Sequence, residues 1–241
     1  MDPSSDHLVD LYAVIETASN VHIVMELVEG GELFERVCDK GVYTEDEARR
    51  VMTGLIDALE VLHSQGIVHR DIKPENILLT KENDTKIKLT DFGLSNIMGA
   101  DDVLKSKCGT PVYMAPEMLQ RKPYNTAVDV WSVGIILYII VSGTLPFYAD
   151  NPDDFLDLVL ESEYSFPEVL RAFTCLLSEP HVLFIHILFI PLRPFDQEEW
   201  GDLSSSIQEL IRQILVPNPR DRLTLDDIRA SPWMTKSSQK R

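Results

Sequence analysis

The sequence predicts an α+β fold in which a small strand-rich beginning leads into a larger, mostly helical lobe. Three patterns carry that expectation. Leu8 to Thr17 and Val21 to Val28 are apolar runs rich in branched residues, parted by Ser19-Asn20, and read as a β-hairpin. Thr44-Glu45-Asp46-Glu47 has the form of a capping box, and Ala48, Val51, Met52, Leu55, Leu59 and Leu62 follow it at helical spacing. Val128 to Val141 is apolar nearly all round, which marks a helix buried on every side. With 241 residues and 44% hydrophobic content, the chain can enclose a sizeable core.

Taken in order, Glu29-Gly30-Gly31-Glu32 breaks the hairpin pattern and a helix follows. The capped helix from Thr44 is core, and it delivers the chain through Ile67-Val68 to His69-Arg70-Asp71-Ile72-Lys73-Pro74-Glu75-Asn76. That octet reads as a loop between helix and strand, because the apolar run Ile77-Leu78-Leu79 comes next. A second run, Lys86-Ile87-Lys88-Leu89, ends in Asp91-Phe92-Gly93. An acid, a lysine and an asparagine so close together suit a site that handles a proton, a phosphate and a metal. Asp91 completes a metal-binding pair with Asn76. Leu94 to Met114 is polar, and Ala115-Pro116-Glu117 follows it. In the buried helix Asp129 is costly unless it accepts hydrogen bonds. Asn151-Pro152 starts another helix as cap and first-turn residue. Ser204 leads into Ile207, Leu210, Ile211, Ile214 and Leu215, again one apolar face.

The net charge of −17 argues against a nucleic-acid partner, which calls for a basic face, and fits a protein that receives cationic partners. Cys38, Cys108 and Cys175 have no metal-ligand spacing and are too few for a disulfide framework, so a reducing, intracellular compartment (cytoplasm or nucleus) is expected. The opening Met1-Asp2-Pro3-Ser4-Ser5-Asp6 is polar and acidic, unlike a signal peptide. No stretch reaches the ~18 apolar residues of a membrane helix, so no membrane role is expected.

The octet and the Asp91-Phe92-Gly93 triplet resemble the catalytic-loop and metal-binding motifs of protein kinases, and with Ala115-Pro116-Glu117 they stand in that family's order. Lys73, two residues after Asp71, is similar to the serine/threonine branch, and the chain resembles its calcium/calmodulin-dependent group. The resemblance implies a kinase-like α+β fold, with remnant small-lobe strands over 1–28 and the large lobe over 29–241. It implies ATP and Mg2+ as cofactors. Asp71 would orient or deprotonate a protein hydroxyl, Lys73 would steady the transferring phosphate, and Asn76 with Asp91 would hold magnesium. Met25 would back the adenine pocket, and backbone groups of Glu26 and Val28 would bond the base. Glu32 would face the ribose or a basic substrate residue. Glu32 and Glu75, near the substrate groove, would favour substrates with a basic residue upstream of the target Ser or Thr. Ser106 is the candidate phosphosite for an upstream kinase, its phosphate bonding Arg70 with help from Lys105 and Lys107. Thr110 would bond Asp71 and Lys73 instead of acting as a phosphosite. Asp129 would tie down the catalytic-loop backbone, and Arg222, after Pro217-Asn218-Pro219, would pair with Glu117. Calmodulin would act through a segment outside this sequence.

Two departures stand against the family pattern. Before Glu29 there is no glycine-rich loop, no strand lysine and no helix glutamate, so an N-terminally truncated chain of weak activity is expected, with a two-stranded remnant sheet open at its edges. The alternative is a non-catalytic scaffold that presents the large lobe to partners. Secondly, Val169 to Gln197 interrupts the pattern with the greasy run Leu183 to Ile190; without it, Phe166-Pro167-Glu168 joins Glu198-Glu199-Trp200. A Val codon begins with GT and a Gln codon can end in AG, so the segment reads as an in-frame retained intron. The rivals are a docking insert and an interfacial segment, and sequencing the transcript decides among them.

Overall fold

Strands β1 (Leu11–Glu16) and β2 (Val21–Met25) form the antiparallel hairpin, with Val14 opposite Ile23. A computed structural model describes residues 6–98, 104–162, 164 and 203–236; the segment 169–197 lies outside them. The first strand is shorter than the run from Leu8 suggests. Residues around Leu8 leave the hairpin because Leu89 offers a free edge: its N–H donates to the His7 carbonyl at 2.8 Å, and its carbonyl accepts the Val9 N–H at 3.1 Å. Both faces of the hairpin are open among the described residues, with Tyr12 64% and Ile23 60% exposed.

Helix α1 (Leu33–Lys40) begins at Glu32 and ends at Gly41, whose φ of 88° suits glycine. Helix α2 (Glu45–Ser64) opens on the expected capping box: the Glu47 N–H donates to Thr44 Oγ1 at 3.3 Å, and the Thr44 N–H donates back to Glu47 Oε2 at 2.9 Å. Its apolar stripe packs on α4 (Ala127–Ser142), where nearly every side chain is buried. Each such side chain contributes roughly 1.5–3 kcal/mol by leaving water. Between the two helices come β3 (Ile67–Val68), β4 (Ile77–Thr80), β5 (Asn83–Leu89), β6 (Asn96–Ile97) and α3 (Pro116–Leu119). β4 and β5 pair antiparallel, as do β3 and β6.

Helix α5 (Pro152–Glu161) is capped by Asn151 Oδ1, which accepts the N–H groups of Asp153 and Asp154. Helix α6 (Ser205–Ile214) packs its Ile207, Leu210, Ile211 and Ile214 face on α4. Ser204 is the N-cap of α6, but its side chain bonds no N–H of the first turn. Its hydroxyl donates to Glu45 Oε2 at 2.8 Å, a charged acceptor that also takes the Trp233 indole N–H at 2.8 Å. Helices α7 (Leu225–Ala230) and α8 (Pro232–Thr235) close the lobe against α2 and α6. The result is an α+β architecture dominated by helices. Among the described residues, no helix is long and apolar enough to cross a membrane.

Candidate functional site

The loop that follows β3 is held from below by one carboxylate. Asp129, 1% exposed near the start of α4, accepts the His69 N–H at 2.9 Å and the Arg70 N–H at 2.8 Å; His63 Nε2 lies 2.9 Å from the same carboxylate. This is the tie the sequence led us to expect, and it explains how a buried acid is tolerated. Arg70 sits at φ 70°, a strained value for a side-chain-bearing residue, and turns Asp71 inward. Pro74–Asn76 then form a single 3₁₀ turn that aims Asn76 back: its Nδ2 donates to the Asp71 carbonyl at 2.8 Å and to Asp71 Oδ2 at 3.2 Å.

Lys73 Nζ lies 3.0 Å from Asp71 Oδ2 and donates to Thr110 Oγ1 at 3.3 Å, while the Thr110 N–H reaches Asp71 Oδ1 at 3.1 Å. Thr110 therefore bonds both residues, as its sequence position suggested. Gly109 makes this crossing possible: at φ +99°, a Cβ there would stand 2.6 Å from the Arg70 carbonyl oxygen. Asp91 arrives from the other side. The β4–β5 register places Ile77 opposite Leu89, so Asn76 and Asp91 emerge at the same end of the ladder, and the Thr90 N–H donates to the Asn76 carbonyl at 3.0 Å. Asp91 has φ 62° and accepts the Gly93 N–H on Oδ1 at 3.2 Å.

His69, the first residue of the octet, links the two loops, a role the sequence did not assign to it. Its Nδ1 accepts the Asp71 N–H at 3.3 Å, so Nε2 carries the proton given to the Thr90 carbonyl at 3.0 Å. Burial holds this imidazole below its ordinary 6.5. The unfolded chain takes up a proton before the folded one does, so stability falls as pH drops from 6.5 towards the lowered value. Urea midpoints should decline over that window, and His69→Phe should lack this part of the decline; an identical pH profile in the variant would count against it.

The Arg70 side chain crosses to the segment before Thr110. Its Nη1 donates to Ser106 Oγ at 2.8 Å and to the Tyr124 hydroxyl at 3.4 Å, and Nε donates to the Leu94 carbonyl at 2.6 Å. Tyr124 Oη in turn donates to the Ser106 carbonyl at 2.8 Å. Tyr124 was missed in the sequence because a tyrosine far from any motif carries no local signal of a long-range bond.

The remaining expected residues lie nearby. Burial pushes the Glu75 carboxyl up, with Glu32 and Asp71 adding to the push; its Oε2 is buried and accepts no hydrogen bond among the described residues. Glu32 precedes α1, where its N–H faces Glu35 Oε2 at 3.5 Å. Met25, at the end of β2, is 48% exposed, and Val28 is partly buried. The Glu26 N–H donates to the Asp10 carbonyl at 2.8 Å, and its carboxylate takes Lys88 Nζ at 2.7 Å. The connection after Glu26 docks on β4: the Gly30 N–H donates to the Leu79 carbonyl at 2.9 Å, where a Cβ on Gly30 would stand only 2.2 Å away. Among the described residues, no three His, Cys, Asp or Glu side chains are placed to hold a metal. An ion here would take a mixed set of carboxylate and amide oxygens.

Further from the loop, Arg222 and Glu117 form the expected buried pair, bidentate at 2.9 and 3.0 Å. Residues 2–234 match the protein kinase domain family. The chain is 34% identical over 233 residues to a probable myosin light chain kinase of Dictyostelium discoideum, covering 96% of this chain and 52% of that protein. It is 38% identical over 234 residues to a serine/threonine-protein kinase H1 homolog of Pinctada fucata, covering 96% and 49%. A homolog of the same name from Danio rerio is 38% identical over 231 residues, covering 95% and 48%. The chain spans about half the length of these relatives.

Proposed function

The chain belongs to the protein kinase domain family, and on that premise we propose that it transfers the γ-phosphoryl group of ATP to serine or threonine hydroxyls of proteins. One observation carries the reading: Asp71, Lys73, Asn76 and Thr110 form one bonded cluster, and the β4–β5 ladder brings Asp91 out at the same end as Asn76. Asp71 is the group that orients the substrate hydroxyl and receives its proton. Lys73, already beside that carboxylate, meets the negative charge that develops on the transferred group. The backbone of Glu26 and Val28 reads the base, with Met25 behind it and Glu32 at the ribose side.

The donor chemistry fits magnesium. Asn76 uses its N–H2 on Asp71, leaving Oδ1 without a hydrogen bond among the described residues, and Asp91 keeps Oδ2 free in the same sense. Both are hard oxygen donors of the kind this ion takes. When bound, it would neutralise phosphate charge. A basic residue upstream of the target hydroxyl would meet the acidic pair Glu32 and Glu75, whose mutual repulsion a substrate cation would relieve. Ser106 is the site for an upstream kinase, supported by the Arg70 guanidinium already on its hydroxyl. Calmodulin control would belong to chain outside these residues. The small-lobe remnant over 1–28 and the large lobe over 29–241 are the division we propose.

A non-catalytic scaffold is the second reading. Its support is the open hairpin, where Tyr12 is 64% and Val21 61% exposed. Thermal unfolding with ADP separates the two. A saturating nucleotide at a hundred times its Kd stabilises by about 2.7 kcal/mol, or roughly 5–10 °C for a chain of this size. The kinase reading expects such a shift to depend on Mg2+ and to lose that dependence in Asp91→Ala. No shift with any nucleotide would leave the scaffold.

A further inference from the structure

We propose that Lys88 and Glu26 form a positioning pair that fixes the base-reading backbone against the strand ending in Asp91. The inference rests on the nucleotide site proposed above and adds two side chains that no motif supplies. On β5 the side chains alternate: Ile87 and Leu89 are fully buried, so Lys88 must face the other way. Its side chain is nevertheless only 13% exposed, because Nζ lies under the connection after β2, donating to Glu26 Oε2 at 2.7 Å and to the Leu8 carbonyl at 3.2 Å.

Glu26 is held from both ends. Its N–H donates to the Asp10 carbonyl at 2.8 Å, and its Oε2 accepts the Asp10 N–H at 3.2 Å as well as Lys88. The Lys88 ammonium, 2.7 Å away, also keeps this carboxyl below the usual range. A second ion pair along the same connection, Lys81 with Glu29, lies at 3.4 Å with side chains 66% and 58% exposed. Salt and water screen that one; the Glu26 carboxylate, at 22% exposure, is better shielded. Lys88 is three positions before Asp91, so one ammonium couples the base side of the site to its metal side. Without it the Glu26–Val28 backbone can swing away while Asp71, Lys73 and Asn76 stay in place.

The experiment measures ADP binding and ligand-free amide exchange in the unaltered chain, Lys88→Met, Lys88→Arg and the swap Lys88→Glu/Glu26→Lys. Lys88→Met should weaken ADP about tenfold, a loss of roughly 1.4 kcal/mol, and should speed exchange at the Glu26 and Val28 amides. Lys88→Arg should stay near the unaltered value, and the swap should recover part of the affinity and protection, because it restores the ion pair but leaves the Asp10 N–H without its acceptor and the Leu8 carbonyl without its donor. A purely structural lysine would not be rescued by exchanging the two charges. ADP binding by Lys88→Met as tight as in the unaltered chain, or a folded swap variant no better than Lys88→Met, overturns the pair. No ADP binding by the unaltered chain overturns the kinase reading itself.

Discussion

Arg222→Met is expected to lower the unfolding free energy by about 3–5 kcal/mol, seen as a fall in urea midpoint and a drop in Tm of roughly 6–20 °C for a chain of this size. The guanidinium is fully buried against a Glu117 carboxylate 5% exposed. Its loss strands that charge without a partner. It also removes donors from three carbonyls, those of Ala127, Val216 and Pro217, which lie 2.7, 3.1 and 3.3 Å away. The Trp131 ring beneath the guanidinium, 5.1 Å from its centroid, keeps a methionine well packed, so the cost is electrostatic and not a cavity. Glu117→Leu combined with Arg222→Met should therefore recover part of the loss, the remainder belonging to the carbonyls. A loss below about 1 kcal/mol for Arg222→Met would mean the pair is solvated after all.

Asp129→Ala is expected to cost a similar amount for a different reason. Two backbone N–H groups, the buried one of His69 and the partly buried one of Arg70, lose their acceptor at up to roughly 1–3 kcal/mol each. Arg70 then loses the backbone bond that helps to hold it at φ 70°, and the loop carrying Asp71 relaxes. The two substitutions thus separate by readout. Arg222→Met leaves amide exchange at His69 and Arg70 slow, whereas Asp129→Ala speeds it and weakens ADP binding together with stability. Asp129→Asn should fall between, since its amide can still offer one oxygen. An asparagine variant as stable as the parent would show that the second acceptor is dispensable.

Several features were legible because their causes are local. The Thr44–Glu47 box closes within one helical turn, and the burial of α4 follows from its own composition. The bonds that the family resemblance implied for Thr110, Asp129 and Arg222 are present, each to a charged group or a polar group beside one. Other features escaped the sequence. Leu8 reads as the start of a hairpin strand, yet the free edge of Leu89 captures it. Ser204 leads into an apolar helix face in the sequence, and nothing there shows that its hydroxyl donates to a carboxylate of α2.

What the chain determines alone is periodicity, caps and the order of its chemical groups, all set by neighbours within a few positions. That was enough to foresee an α+β fold led by helices and a loop bearing Asp71, Lys73 and Asn76. Only the tertiary structure decided that His69 would tie that loop to Thr90, that Tyr124 would meet Arg70 and Ser106, and that Lys88 would reach Glu26. Each of these bonds joins groups distant in sequence, and a hydrogen bond needs its partners within about 3 Å at a narrow angle. No pattern of residues along the chain encodes that distance; packing of α2, α4 and the β4–β5 ladder does.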